Sequence, residues 1–186
     1  MEKEKGNVWD SHSLDKDFEE FFKKFKNPKD YSVIDLGCGN GSQAYFLEQM
    51  GFNVTGTDCR NYLEYFIGDF IIDDALHSKL NKKYDFILDK GLIHNLINDN
   101  RRDNYFDMIE NISDDQTVIL LKVLSPYEIR CSPFFDHPNG PYRFTDEELE
   151  YLYYDLGFKC NLIKDTFFYS IEKPYLRGNF CLYSRD

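Results

Sequence analysis

Ten residues, Val33-Ile34-Asp35-Leu36-Gly37-Cys38-Gly39-Asn40-Gly41-Ser42, put an acid at the end of an apolar run and then three glycines at alternate positions. Such a stretch reads as a buried strand feeding a glycine loop that opens a helix. Glycines let the backbone approach a ligand with no Cβ in the way. A second acid, Asp58, closes the next apolar segment, Phe52-Asn53-Val54-Thr55-Gly56-Thr57-Asp58. A strand–loop–helix–strand–acid unit of this kind cradles an adenosine-type ligand, and the second acid accepts hydrogen bonds from the ribose hydroxyls.

The dinucleotide fingerprint Gly-x-Gly-x-x-Gly is the nearest alternative. Gly41 comes one residue early for it, and Ser42 stands where its third glycine belongs. A pyrophosphate wants a helix N-terminus free of acid, and Asp35 would repel it. A plain turn would not need three spaced glycines, each of which costs backbone entropy.

The elements that must position these groups follow from periodicity. Leu14, Phe18, Phe21, Phe22 and Phe25 form one helical stripe with Ser13 as N-cap, predicting a helix over 14–26 within an N-terminal helical segment, 8–27. Strands are predicted over 31–35, 52–58, 84–88 and 117–124, the last apolar enough to be buried on both faces. Helices are predicted over 42–50 and 101–112. Thr145-x-x-Glu148 is a capping box opening another, with Leu149, Leu152, Tyr153 and Leu156 as its stripe. Two late apolar segments, 158–169 and 179–184, have no helix between them and read as an antiparallel pair. The expected fold is α/β: a doubly wound, Rossmann-like sheet, mostly parallel, with an antiparallel C-terminal hairpin and helices on both faces. One domain over 1–186 is expected, with a loop over 125–144 covering the substrate.

The 186 residues suffice for a sizeable core. Net charge of -11 repels phosphate backbones, and no Lys/Arg-rich block offsets it, so nucleic acid is disfavoured as a partner. Five cysteines, Cys38, Cys59, Cys131, Cys160 and Cys181, are scattered, which indicates neither a zinc site nor a disulfide framework. No metal is expected. The charged opening Met1-Glu2-Lys3-Glu4-Lys5 lacks the apolar core of a signal peptide. No apolar run reaches membrane-spanning length, so a cytoplasmic location is expected.

The pattern Asp-x-Gly-x-Gly-x-Gly, together with Thr57-Asp58, Gly68-Asp69-Phe70, the run Tyr84-Asp85-Phe86-Ile87-Leu88-Asp89-Lys90-Gly91-Leu92-Ile93-His94 and Gly140-Pro141-Tyr142-Arg143-Phe144-Thr145, resembles class I S-adenosylmethionine-dependent methyltransferases. Within them it is similar to the small thiopurine/tellurite-resistance enzymes. The resemblance implies S-adenosylmethionine as cofactor, S-adenosylhomocysteine as product and a small-molecule methyl acceptor. It implies that the loop Gly37, Cys38, Gly39 and Gly41 holds the methionyl part, with Asp35 beside its cationic groups. Asp58, with Cys59 next to it, would bind the ribose diol. Asp69 would accept from the adenine amino group, with Phe70 beside the ring, or else be a solvated loop acid. Asp89 would face the sulfonium and ammonium, or else cap a helix.

Asp58 and Asp69 lie too close for the usual intervening helix. A loop or single turn is expected between them, with a short third strand or none. An Asn/Asp-Pro-Pro-aromatic motif is absent; Asp89-Lys90-Gly91 stands there, which argues against base methylation. The same tripeptide recurs in lysine methyltransferases, so a protein substrate is the alternative. A non-catalytic cofactor-binding subunit is the second. His94 is the candidate general base, unless it only packs. Trp9, Phe134, Phe135, His137 and Tyr142, with Phe144, are candidates for an apolar acceptor pocket, or they simply pin the loop and first helix.

Overall fold

The structure, a computed structural model, describes residues 11–65, 67–96, 102–128, 141–169 and 175–186. One sheet carries seven strands: β1 (Ser32–Leu36), β2 (Asn53–Asp58), β3 (Asp69–Ile72), β4 (Phe86–Lys90), β5 (Val118–Leu124), β6 (Lys159–Phe168) and β7 (Leu176–Ser184). Their order is β3-β2-β1-β4-β5-β7-β6. The first five pair in parallel, and β7 runs antiparallel to both β5 and β6. The expected C-terminal hairpin is therefore present, with the later strand taking the inner position. The helices are α1 (Lys16–Phe22), α2 (Ser42–Gln49), α3 (Ile93–Leu96), α4 (Arg102–Ile112) and α5 (Asp146–Tyr151). None among the described residues is long and apolar enough to cross a membrane.

Strand alternation sorts the core into two layers. Val33, Val54, Phe86, Leu88, Leu120 and Phe180 face α1 and α2. Ile34, Ile87, Ile119, Leu121, Val123 and Tyr183 face α4 and α5. The wealth of rings is used in the first layer: Phe22 meets Phe52 and Phe86 edge-on, with centroids 4.9 and 5.2 Å apart. Each fully buried ring contributes about 1.5–3 kcal/mol.

The first helix departs from expectation. It starts at Lys16 with Asp15, not Ser13, as N-cap, and the Asp15 carboxylate accepts the Asp17 N–H at 3.1 Å. Ser13 gives its carbonyl to Ser11 and Gln43 instead. The helix also ends early, at Phe22, with Phe25 packing from the turn beyond. The α5 capping box is present in both directions, Glu148 N–H to Thr145 Oγ1 and Thr145 N–H to Glu148 Oε2. Between β2 and β3 there is no helix among the described residues, and β3 has only four residues, as the spacing predicts.

Candidate active site

Chain order reverses at β1, which leads to β2 on one side and has β4 on the other. Parallel sheets bind ligands at such a switch point, outside the carboxyl ends of the strands. A crevice of about 280 Å³ opens there, near the lower end of the roughly 300–1,000 Å³ of ligand pockets. Gly37 and Gly39 line it from the loop after β1, Thr57, Asp58 and Cys59 from the tip of β2, and Lys90, Gly91 and Leu92 from the tip of β4. A larger groove of about 510 Å³ runs between α4 and α5. It touches none of the loop glycines or strand-tip acids, so the crevice is the candidate site.

The loop holds its shape through left-handed glycines: φ is 63° at Gly37, 56° at Gly39 and 81° at Gly41. The Gly39 N–H donates to Asp58 Oδ2 at 3.0 Å, which joins the loop to the second strand tip. A Cβ on Gly39 would meet nothing within 4 Å, so its face is open to a ligand. A Cβ on Gly41 would lie 2.7 Å from Leu63 Cδ2 and 3.1 Å from the Tyr65 carbonyl oxygen. Gly41 therefore serves the packing of the segment after β2 rather than the crevice. Cys38 is buried, and burial followed by the charges of Asp35 and Asp58 pushes its thiol far up. Cys59 is exposed and lines the crevice, its thiol raised by partial burial and by Asp58.

Asp58 is half-buried at the strand tip, with Oδ1 reached by the Arg60 N–H at 3.4 Å. Asp35 lies beneath the loop, 1% exposed. Burial raises it to about 7, against the opposing charge of Lys90 and the Ala44 N–H bond. Its Oδ2 has no hydrogen-bond partner among the described residues. A buried carboxylate oxygen left bare beside an open glycine loop is suited to a cationic ligand.

Several expected site residues are placed elsewhere. Asp69 begins β3, and because β3 is parallel its ligand end is Ile72, roughly 10 Å away at strand rise. The Asp69 carboxylate accepts from Thr55 Oγ1 at 2.6 Å, and Phe70 packs on the α1–α2 core layer. The acids that reach the crevice from β3 are Asp73 and Asp74. Ile71-Ile72-Asp73-Asp74, acids after an apolar pair, carried the same signal as Asp35 and Asp58. Asp89 is fully buried, with its carboxylate turned to α4 and filled by donors: Leu92 N–H at 2.7 Å, Ile93 N–H at 3.0 Å and Tyr105 OH at 2.8 Å. It caps α3 instead of facing a ligand. His94 is also fully buried and does not line the crevice. Its Nδ1 accepts the Leu124 N–H at 3.3 Å, and burial lowers its pKa to about 3. A ring so placed holds α3 to β5. Tyr142 donates its N–H to the His94 carbonyl at 2.6 Å and its OH to Glu148 at 2.5 Å, apart from the crevice. Trp9, Phe134, Phe135 and His137 lie outside the described residues.

A buried polar clasp unforeseen in the sequence adjoins the site. Gln43 of α2 donates to Ser11 Oγ at 2.7 Å and accepts the Asp15 N–H at 2.7 Å. Asp15 and Asp17 in turn flank Lys122 Nζ of β5 at 2.5 and 2.7 Å, all three nearly inaccessible. Thr166 of β6 donates to Asp17 at 2.6 Å. No group of three or more His, Cys, Asp or Glu among the described residues could hold a metal ion.

Residues 3–160 match the family described as tellurite resistance protein TehB. No curated protein matches the chain. Many solved structures share the fold, three of them as follows. One concerns the conversion of a disulfide bond into a thioacetal group during echinomycin biosynthesis, at 19% identity over 98% of this chain and 86% of that one, TM-score 0.78. The Burkholderia thailandensis 1,6-didemethyltoxoflavin-N1-methyltransferase, with bound 1,6-didemethyltoxoflavin and S-adenosylhomocysteine, is 17% identical over 91% and 83%, TM-score 0.68. TehB from Haemophilus influenzae is 17% identical over 93% of this chain but 63% of its own, TM-score 0.68.

Proposed function

This chain belongs to the tellurite resistance protein TehB family and is an S-adenosylmethionine-dependent methyltransferase, and from that premise we propose that it methylates a small molecule bound beside the crevice. The observation that carries this reading is the crevice itself, a narrow slot at the switch point with three carboxylates, Asp58, Asp73 and Asp74, against one ammonium, Lys90. A relative of the same fold acts on 1,6-didemethyltoxoflavin, a compact acceptor.

The cofactor, when bound, supplies a methyl group on a positively charged sulfur, already activated for in-line displacement. The residues here do the rest. The open face of Gly39, with the Gly37 backbone beside it, takes the methionyl part. Asp58 accepts from the ribose hydroxyls, and Asp73 or Asp74 from the adenine amino group. Asp35 balances the positive charge from below. The Gly91–Leu92 wall shuts out water. With His94 buried and its Nδ1 engaged, no base is assigned, and the rate comes from alignment and exclusion of solvent.

The test is transfer of labelled methyl from the cofactor into a cell lysate. Label in the solvent-extractable fraction is expected. Label confined to a protein band would replace this reading with the protein methyltransferase.

A proton release should accompany binding. Asp35, raised to about 7 by burial, is partly protonated near neutrality in the free protein. A cation placed over it favours the ionised form. Calorimetry at about pH 6.5 in buffers of different ionisation enthalpy is expected to show release of up to about one proton with S-adenosylmethionine. S-adenosylhomocysteine, lacking the sulfonium, should release less, and Asp35→Asn none. Heats that do not depend on the buffer would remove Asp35 from this role.

A further inference from the structure

Opposite the glycine loop the crevice is walled by the turn at Gly91 and Leu92. Gly91 stands at φ 89°, and Leu92 leans on the loop so closely that a Cβ on Gly37 would lie 3.1 Å from its Cδ1. The wall's position therefore sets the width of the slot. Helix α3 begins directly behind the wall, at Ile93. Its anchor is Asp89, whose carboxylate gathers the Leu92 and Ile93 N–H groups.

Asp89 is held in turn. Tyr105 of α4 donates its hydroxyl to Asp89 Oδ2 at 2.8 Å. That spends the only proton of the phenol, so the Tyr153 hydroxyl, from the turn after α5 and 2.9 Å away, must donate to the Tyr105 oxygen. Asp89 and Tyr105 are 0% exposed and Tyr153 is 1% exposed. The rings lie among Ile109, Leu149 and Phe158, where phenylalanine would satisfy the packing. What the two hydroxyls add is a donor chain that ends on Asp89.

We propose that Tyr105, backed by Tyr153, is a positioning residue of the methyltransferase: acting through Asp89, it fixes the Gly91–Leu92 wall and so sets cofactor affinity. The inference rests on the crevice being the cofactor site. Burial raises Asp89 to about 6, with the Tyr105 hydroxyl the foremost group holding it down and the Leu92, Ile93 and Gly91 N–H groups helping. The titratable groups that face it are Asp35 of β1, Tyr105 of α4 and Tyr153 of the turn after α5. Asp35 titrates nearby, so the Asp89 carboxyl has to be watched directly.

Tyr105→Phe is expected to weaken S-adenosylhomocysteine binding by about tenfold or more, the worth of a hydrogen bond to a charged group. In carboxyl-labelled protein the Asp89 carbon resonance should titrate at higher pH than in wild type. Tyr153→Phe, one bond further back, should shift both readouts the same way by less, and it serves if Tyr105→Phe does not fold. A merely structural tyrosine would lower the melting temperature and, by loss of its hydrogen bond, still raise the Asp89 titration, but it would leave cofactor affinity untouched; that result overturns the proposal. Asp58→Ala separates the two premises. If it weakens binding and Tyr105→Phe does not, only the positioning role fails. If neither does, the crevice reading fails with it.

Discussion

Lys122→Met is expected to destabilise the protein by about 3–5 kcal/mol, the range for removing one partner of a buried ion pair. Methionine fills nearly the same space, so the loss is not a cavity effect. It leaves Asp15 and Asp17 buried beside an apolar chain, with Thr166 and Lys164 still on Asp17. The pH dependence gives a sharper test. In the wild type, burial alone would raise Asp17, but the Lys122 and Thr166 hydrogen bonds and the Lys122 charge hold it below the usual carboxylate range. That contribution is present above the unfolded pKa of about 3.9 and is lost as pH falls. In the variant burial dominates, Asp17 binds its proton more readily folded than unfolded, and stability falls as pH rises. The gap between the two proteins should therefore narrow from about pH 8 to about pH 5 in urea denaturation. A loss under about 1 kcal/mol, as for an exposed pair, or one constant with pH, would show that the clasp carries little.

Asp58→Ala should lower affinity for S-adenosylhomocysteine by about 10- to 150-fold, the equivalent of 1.5–3 kcal/mol for hydrogen bonds to a charged acceptor. Two losses combine in it. The ribose hydroxyls lose their acceptor, and the Gly39 N–H loses the bond at 3.0 Å that sets the loop. Asp69→Ala is the paired control: its carboxylate serves Thr55 at the far end of β3, so binding should stay close to wild type. Calorimetry on both variants decides the matter. Retained affinity in Asp58→Ala with a loss in Asp69→Ala would reverse the assignment made from strand direction.

What could be read from the chain alone was local. The glycine loop, the acid at the tip of β2, the α5 capping box and the shortened link before β3 each depend on neighbours within a few residues. The misplacements arose where direction or distant partners decide. Gly68-Asp69-Phe70 looks like the end of a strand but is its beginning, and the acids past its true end are Asp73 and Asp74. Asp89 and His94 sit in a stretch where capping α3 and bonding the Leu124 N–H compete with facing a ligand, and only the packed structure shows that the former win. Lys122, a charge inside the most apolar strand, was a visible anomaly. Its partners lie 107 and 105 residues away, beyond any local pattern.

The position of β7 has a consequence for the order in which a ribosome can build this protein. Of the seven strands it is made last, yet it fills an inner place between β5 and β6. Until it emerges, the flank of β5, with Leu120, Leu121 and Leu124 destined for full burial, is an open edge, and β6 has nothing to pair with. The residues that line the crevice come before β5, from the tips of β1 to β4 and the segments that follow them, and β7 bears on it through Tyr153, whose ring packs on Tyr183. A growing chain thus has every lining residue of its cofactor slot in hand while its far third is still an aggregation hazard awaiting one strand, and the backing of the slot's wall by Tyr153 is completed last.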